Sequence, residues 1–342
     1  MERGGTMNKM AMLMNPAVVT RVFTPEAMAR LKALTKELAI PEGPLQENPC
    51  DAGAVMRGAD VLITSWTSPA LTEEWLAPAP GLKLALHAAG SVKPVATDAL
   101  WARGIPVVSS ASVLSRGVAE TGLGLTIMAL KNIEEITWHT RTGDWWNNRA
   151  DEVRGRIREL YGITIGVIGA GQAGRRYMEL LRAFRVHVLL YDPTVSEQEA
   201  AELGARLVSL EELSASAALV MVLAPAIPET YHMINEERLS LMKQGTVLIN
   251  LARGSLVDEA ALRRRLDAGG FRAILDVTGQ EPPPAGHWLR IHPHVTLTGH
   301  IAGSVNNGLL AIGDFIAEQA ERFAAGHGLI GQIEPSRLHE LA

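Results

Sequence analysis

The sequence predicts an α/β protein built from two parallel-sheet units. Three observations carry the prediction. The chain has 342 residues, which at roughly 100–200 residues per domain is about two domains. Short apolar runs alternate with amphipathic stretches along its length, the pattern of βαβ units and hence of a parallel sheet. No repeat or low-complexity tract offers another architecture.

In the first unit, Met10–Met14, Val61–Thr64, Leu82–Leu86 and Ile105–Val108 read as strands. Pro25–Leu38 and Thr97–Arg103 read as helices between them. Val113–Ile133, rich in Leu, Gly, Met and Ala, reads as a long, mostly buried helix. The second series opens with Ile163–Ile168, a β-branched run ending in glycines. Ala173–Phe184 follows with helical periodicity, Met178, Leu181 and Phe184 falling on one side. Then come Val186–Tyr191, Leu219–Leu223, Thr246–Asn250 and Ala273–Val277, apolar without alternation, as suits strands covered on both faces. Asn306–Ala325 reads as a last helix whose place periodicity does not fix, and the tail from Gly326 reads as irregular.

Composition excludes several classes. Hydrophobic residues are 47%, and 32 Lys+Arg against 37 Asp+Glu leave a net charge of −5. That argues against disorder and against a nucleic-acid binder, which must neutralise many phosphates. The lone cysteine, Cys50, forms no internal disulfide or cysteine zinc cluster. No metal site is expected, and the chain reads as intracellular, hence cytoplasmic. The longest apolar run, Ala217–Ile227, is broken by Pro225 and falls short of the about 20 residues a bilayer needs, so no membrane association is expected. Met1–Thr6 has no apolar stretch of a secretory signal, and Met7 is an alternative start.

Gly169-Ala170-Gly171-Gln172-Ala173-Gly174 fits the dinucleotide pattern G-x-G-x-x-G. Its context gives it weight: a strand precedes it, a helix follows, and the next strand ends in Asp192, 18 positions after Gly174. Gly169 permits the tight turn, Gly171 lets a pyrophosphate approach the backbone, and Gly174 lets the helix pack on the strand. The helix N-terminus offers free N–H groups to the anion. Asp192 would accept hydrogen bonds from the ribose hydroxyls and repel a 2′-phosphate, which favours NAD(H) over NADP(H). The competing reading is a plain βα turn without ligand.

Three further stretches each follow a strand, where an open parallel sheet puts its ligand crevice. They are Asn250-Leu251-Ala252-Arg253-Gly254, Asp276-Val277-Thr278-Gly279-Gln280-Glu281-Pro282, and Thr298-Gly299-His300-Ile301-Ala302-Gly303. Taken singly, Arg253, Glu281 and His300 would each more readily be structural or surface residues. Together, behind a nucleotide motif, they suit the reduction of a carbonyl. An imidazolium can protonate the oxygen as hydride reaches the carbon, help typically worth about 10²–10⁴-fold. A carboxylate on the other ring nitrogen would orient the ring, and a guanidinium can fork onto a carboxylate and carbonyl.

From about Ala59 to Gly303 the chain resembles the D-isomer-specific 2-hydroxyacid dehydrogenase family, which includes phosphoglycerate dehydrogenases and hydroxypyruvate/glyoxylate reductases. Val118-Ala119-Glu120 resembles the family's signature on the helix joining its domains. The resemblance implies two domains: a Rossmann dinucleotide-binding domain, residues 113–304, inserted into a smaller flavodoxin-like α/β substrate domain, 1–112 and 305–342. It implies that Arg253 binds substrate, that Glu281 supports His300, and that His300 is the general acid/base. It places Gly169, Gly171, Gln172, Ala173, Gly174, Asp192, Ala224, Pro225, Thr230, Leu251, Ala252, Asp276, Ala302 and Gly303 at NAD(H), with Asp276 touching the nicotinamide carboxamide. The implied substrate is a small 2-hydroxy or 2-keto acid, and the implied assembly a homodimer. Adjacent tryptophans in Asp144-Trp145-Trp146-Asn147 read as a subunit contact, or else as a loop folded back on its own domain.

The sequence departs from the family in three places, one being that the family's acid after its first-domain glycine loop is missing, with Lys93-Pro94 nearby instead. The glycine loop that offers backbone N–H groups to the substrate carboxylate aligns with His87-Ala88-Ala89-Gly90-Ser91-Val92-Lys93, where one glycine remains. Ala89, Gly90 and Ser91 can still form an anion nest; a plain turn is the alternative. Gly299 replaces the usual proline before the histidine, which is expected to loosen that turn. Ser65-Trp66-Thr67 follows an early strand and reads as pocket-shaping, with Trp66 equally suited to the core. An NAD(H)-sensing, corepressor-like protein on the same scaffold is the competing function.

Overall fold

A computed structural model describes residues 7–45, 49–146, 148–303 and 305–340. The readings made on Met1–Thr6, the Cys50 side chain and Asn147 lie outside the described residues. The fold is α/β with two parallel sheets, as expected. The chain divides into one compact unit holding Met1–Leu114 and Ser304–Leu341, and a second, Ser115–Gly303, inserted within it.

The first unit contains β1 (Met7–Leu13), β2 (Thr35–Ala39), β3 (Val61–Thr64), β4 (Leu84–His87) and β5 (Val107–Ser109). They form a parallel sheet of order β2-β1-β3-β4-β5, the flavodoxin-like order. Successive side chains of a strand point to opposite faces. Met10 and Met12 therefore join Ile63, Leu86 and the helix Asn307–Ala324 in one cluster. Ala11 and Leu13 join Leu62, Leu76 and Leu100 in another. Burial on both faces is why these strands read as unbroken apolar runs.

The helix expected over Pro25–Leu38 stops at Ala33. Thr24 caps its start, its Oγ1 accepting from Ala27 N at 3.0 Å. Thr35–Ala39 is instead the edge strand β2, paired with β1 from Met7↔Thr35 to Ala11↔Ala39. Lys36-Glu37-Leu38 has helical propensity, but pairing with β1 overrides it. A Lys9–Glu37 ion pair at 2.8 Å spans the two strands.

The second unit contains β6 (Tyr161–Ile168), β7 (Arg185–Tyr191), β8 (Ala205–Leu207), β9 (Leu219–Val222), β10 (Val247–Asn250), β11 (Arg272–Leu275) and β12 (Val295–Leu297). All pair in parallel, in the order β12-β11-β10-β9-β6-β7-β8. That is the Rossmann order with one strand added at the edge. The three-residue β8 carries too short an apolar run to be read from sequence.

Two further expectations are corrected. The long helix spans Ala111–Leu130, not Val113–Ile133; Asn132 turns left-handed at φ 51° and a separate helix, Ile133–Arg141, follows. It is long and apolar enough to cross a membrane, yet it is not mostly buried. Ser115, Ala119, Gly122, Leu125, Thr126 and Ala129 form one buried stripe at helical spacing, and Thr126 Oγ1 meets the buried Tyr177 hydroxyl at 2.7 Å. The helix after the glycine turn runs Gln172–Leu181, so Phe184 lies beyond it. The tail is irregular as expected up to a short 3-10 helix over Pro335–Glu340, yet it is tethered: Ser109 N donates to Gly331 O at 2.9 Å and Ile333 N to Val107 O at 2.8 Å, laying the chain along β5.

Candidate functional site

Because the strands of the second sheet all run parallel, the turns that follow them share one edge. The order reverses between β6 and β9, the switch point where such sheets bind ligands. Gly169 sits there at φ +100°, and a Cβ on it would come within 2.7 Å of Ala224 N. A Cβ on Gly174 would lie 2.0 Å from Gly169 O, so the helix rests directly on the turn. A Cβ on Gly171 would meet nothing within 4 Å. The helix beginning at Gln172 has no side-chain cap at Gly171. Open space before uncapped amides suits a pyrophosphate, and on this geometry the residues fit a dinucleotide.

Asp192 is half-buried beside that turn. Its Oδ2 accepts from Ala170 N at 2.7 Å, and its Oδ1 from Thr194 N at 2.9 Å and Thr194 Oγ1 at 2.7 Å. Arg175 Nε donates to Ala170 O at 2.8 Å, holding the turn from its other side. In the loop after β9, Thr230 Oγ1 donates to Pro225 O at 2.6 Å and accepts from Ile227 N at 3.0 Å. The hydroxyl of Thr230 thus shapes the segment that begins at Ala224 and Pro225.

The turn after β10 is set by Asn250, fully buried. Its Oδ1 accepts from Ala252 N at 3.0 Å and its Nδ2 donates to Arg253 O at 2.9 Å. Leu251 and Ala252 are buried, while Arg253 is half-buried and extended. Its guanidinium donates to Ala252 O at 2.7 Å and has no carboxylate partner among the described residues. A Cβ on Gly254 would lie 2.0 Å from the Thr278 carbonyl carbon, so this turn packs against the one after β11.

The turns after β11 and β12 are joined through two carboxylates. His300 Nδ1 lies 2.5 Å from Glu281 Oε2, and Glu281 Oε1 accepts from Thr278 N at 3.2 Å. The His300 side chain is 53% exposed. Asp276, buried, holds the histidine's backbone. Its Oδ1 accepts from Thr298 Oγ1 at 2.5 Å and Ile301 N at 2.8 Å, its Oδ2 from Ala302 N at 2.9 Å, and its carbonyl from His300 N at 2.7 Å. Gly299 and His300 are left-handed, at φ 74° and 60°. Proline, fixed near −65°, does not fit at 299 in this backbone. The hydrogen bonds to Asp276 hold the turn in that conformation.

In the first unit, the loop His87–Lys93 follows β4. Ala88 and Ala89 are buried, Gly90 and Ser91 half-buried. The His87 ring is buried, its Nδ1 2.9 Å from Thr64 Oγ1. Burial pushes its pKa down to about 4, opposed by a hydrogen bond to the Ser91 backbone. Trp66 is 52% exposed and is not a core residue.

Residues 123–302, more than half of the chain, match the family model described as D-isomer specific 2-hydroxyacid dehydrogenase, NAD binding domain. The chain belongs to the D-isomer specific 2-hydroxyacid dehydrogenase family. It is 33% identical over 273 residues to a D-3-phosphoglycerate dehydrogenase of Methanocaldococcus jannaschii, covering 79% of this chain and 51% of that one. It is 31% identical over 273 residues to a glyoxylate reductase of Aeropyrum pernix, covering 79% and 81%. The crystal structure of a phosphoglycerate oxidoreductase from Rhizobium etli is 25% identical, with a TM-score of 0.80 over 96% of this chain and 98% of that one. The chain spans about half the length of the phosphoglycerate dehydrogenases it matches.

As a 2-hydroxyacid dehydrogenase family member, the chain carries the family's NAD binding domain. Sequence reasoning missed three sets of residues around the described sites. Asn250 reads as a strand end, and although an Asn leaving an apolar strand is a common turn-former, its bonding partners are not visible in sequence. Thr298 carries no signal of its own. Ser109 and Ser110 carry none either, lying between an apolar strand and the long helix.

Proposed function

We propose that this chain is an NAD-dependent oxidoreductase interconverting a 2-keto acid and a D-2-hydroxy acid. The observation that carries the reading is the 2.5 Å contact between His300 Nδ1 and Glu281 Oε2, on the sheet edge that also bears the glycine turn. With Nδ1 donating to a carboxylate, the proton that moves is the one on Nε2. His300 delivers it to the carbonyl oxygen in reduction and recovers it in oxidation, and Glu281 holds the ring in that orientation. Arg253, its guanidinium lacking a carboxylate partner among the described residues, takes the substrate's carboxylate and carbonyl.

Bound NADH supplies the hydride. Gly169, Gly171, Gln172, Ala173 and Gly174 would hold its pyrophosphate and Asp192 its ribose. Ala224, Pro225, Thr230, Leu251, Ala252, Asp276, Ala302 and Gly303 would line the rest. Within the first unit, the amides of Ala89, Gly90 and Ser91 are free donors among the described residues, of the kind a carboxylate takes. Trp145 and Trp146, 57% and 78% exposed, suit contact with a second copy in a homodimer. A monomeric mass in solution excludes that assembly.

The test is NADH oxidation on glyoxylate, hydroxypyruvate, pyruvate and phenylpyruvate. His300→Asn is expected to abolish turnover while NADH affinity stays within a few fold. No turnover on the panel with tight NADH binding would instead identify an NAD(H) sensor, and activity in His300→Asn would refute the acid/base assignment.

A further inference from the structure

The loop His87–Ser91 poses a problem that glycine does not solve. None of its described residues has a left-handed φ, so Ala89 and Ser91 are tolerated where the family uses glycine. What shapes it is a set of hydroxyls. Ser65 Oγ donates to Ala88 O at 2.9 Å. Ser110 N donates to Ala89 O at 3.1 Å, and Ser110 Oγ to His87 O at 3.0 Å. Ser109 Oγ donates to Gly90 O at 2.5 Å. All three serines are buried.

A trans peptide points its N–H opposite to its C=O. Fixing the carbonyls of Ala88, Ala89 and Gly90 inward therefore turns outward the amides of Ala89, Gly90 and Ser91. Among the described residues none of these three amides has a hydrogen-bond acceptor, whereas the amide just before them, Ala88 N, is spent on Thr64 O at 2.7 Å. Three adjacent unspent donors on a half-buried loop demand an acceptor, and successive backbone N–H groups of this kind form an anion-binding concavity.

We propose that Ser65, Ser109 and Ser110 are positioning residues, which turn these three peptide planes so that the amides of Ala89, Gly90 and Ser91 bind the carboxylate of a 2-oxo acid. The proposal rests on the dehydrogenase reading for its choice of anion. Each serine acts through the backbone and touches no substrate.

The experiment uses Ser109→Ala and Ser110→Ala, singly and together, with NADH saturating. The KM for the best 2-oxo acid and the Kd of oxamate, measured by titration calorimetry on the NADH-bound protein, are expected to rise about tenfold or more, since a misplacement of about 1 Å can cost about 10²-fold. NADH affinity is expected to stay within about twofold and kcat within a few fold. A merely structural serine would lower Tm and leave that split unmoved. Ser109→Thr, which keeps the hydroxyl, is expected to retain wild-type oxamate affinity within a few fold. Should the alanine variants fail to fold, amide NMR shifts of Ala89, Gly90 and Ser91 on adding oxamate to wild type decide the matter, and unmoved amides overturn the proposal. Folded alanine variants with unchanged KM and oxamate affinity overturn it while leaving the dehydrogenase reading intact. A wild type that reduces no 2-oxo acid, yet binds oxamate at these amides, keeps the cradle and refutes the dehydrogenase.

Discussion

Asp276→Asn is the sharpest perturbation of the His300 turn. The carboxylate accepts from Thr298 Oγ1, Ile301 N and Ala302 N at 2.5, 2.8 and 2.9 Å. An amide offers one acceptor oxygen, and its NH₂ must face a backbone N–H. The change removes a hydrogen bond to a charged group, about 1.5–3 kcal/mol, and leaves a buried donor unmet, about 1–3 kcal/mol. Against this stands the left-handed conformation of His300 at φ 60°, which costs a non-glycine residue roughly 1–2 kcal/mol. The anchor outweighs the strain by only a few kcal/mol, so weakening it lets the histidine backbone relax. If about 3 kcal/mol of alignment is lost, kcat/KM falls about 10²-fold, at 1.36 kcal/mol per decade. Steady-state NADH oxidation gives the rate, and NADH titration separates loss of alignment from loss of cofactor binding. An Asp276→Asn protein with kcat/KM within about twofold of wild type would refute the reasoning.

Asp192→Ala is expected to weaken NADH and to improve NADPH relative to it; an unmoved preference means that Asp192 does not bind the ribose. It should also lower Tm slightly, because Ala170 N loses the acceptor it has at 2.7 Å. His87 makes the first unit acid-sensitive. Its folded pKa is about 4 against an ordinary 6.5, so between those values the unfolded chain binds more protons and stability falls as pH drops. The contribution, about 3 kcal/mol, is complete above pH about 6.5; at pH about 5 roughly 2 kcal/mol of it is gone. Denaturant unfolding at both pH values checks this, and a His87→Gln protein with the same acid slope would assign the effect elsewhere.

Much of the second unit was legible because its signals are local. Ile163–Ile168 running into Gly169, with Asp192 closing the next strand, is a complete pattern within one βαβ unit. The strands buried on both faces were legible for the same reason: Val61–Thr64 and Leu219–Val222 are unbroken apolar runs. What failed was set at long range. Thr35–Ala39 is a strand only because β1 pairs with it, and the path of the irregular tail along β5 could not be read from its own residues. The serines that turn residues 88–91 come from the ends of two other strands, so no window of sequence contains both partners. In this chain residue 299 has a φ that proline cannot take.

The end of β11 has a wider meaning. Asp276 fixes the His300 backbone, Thr278 N fixes one oxygen of Glu281, and Glu281 fixes the imidazole. These hydrogen bonds, and the acid/base pair proposed on them, all fall inside a single stretch, residues 276–302, of one unit. The loop over residues 87–93 lies in the other unit and shares none of these hydrogen bonds. Exchanging glycine for alanine or serine there leaves every one of them in place.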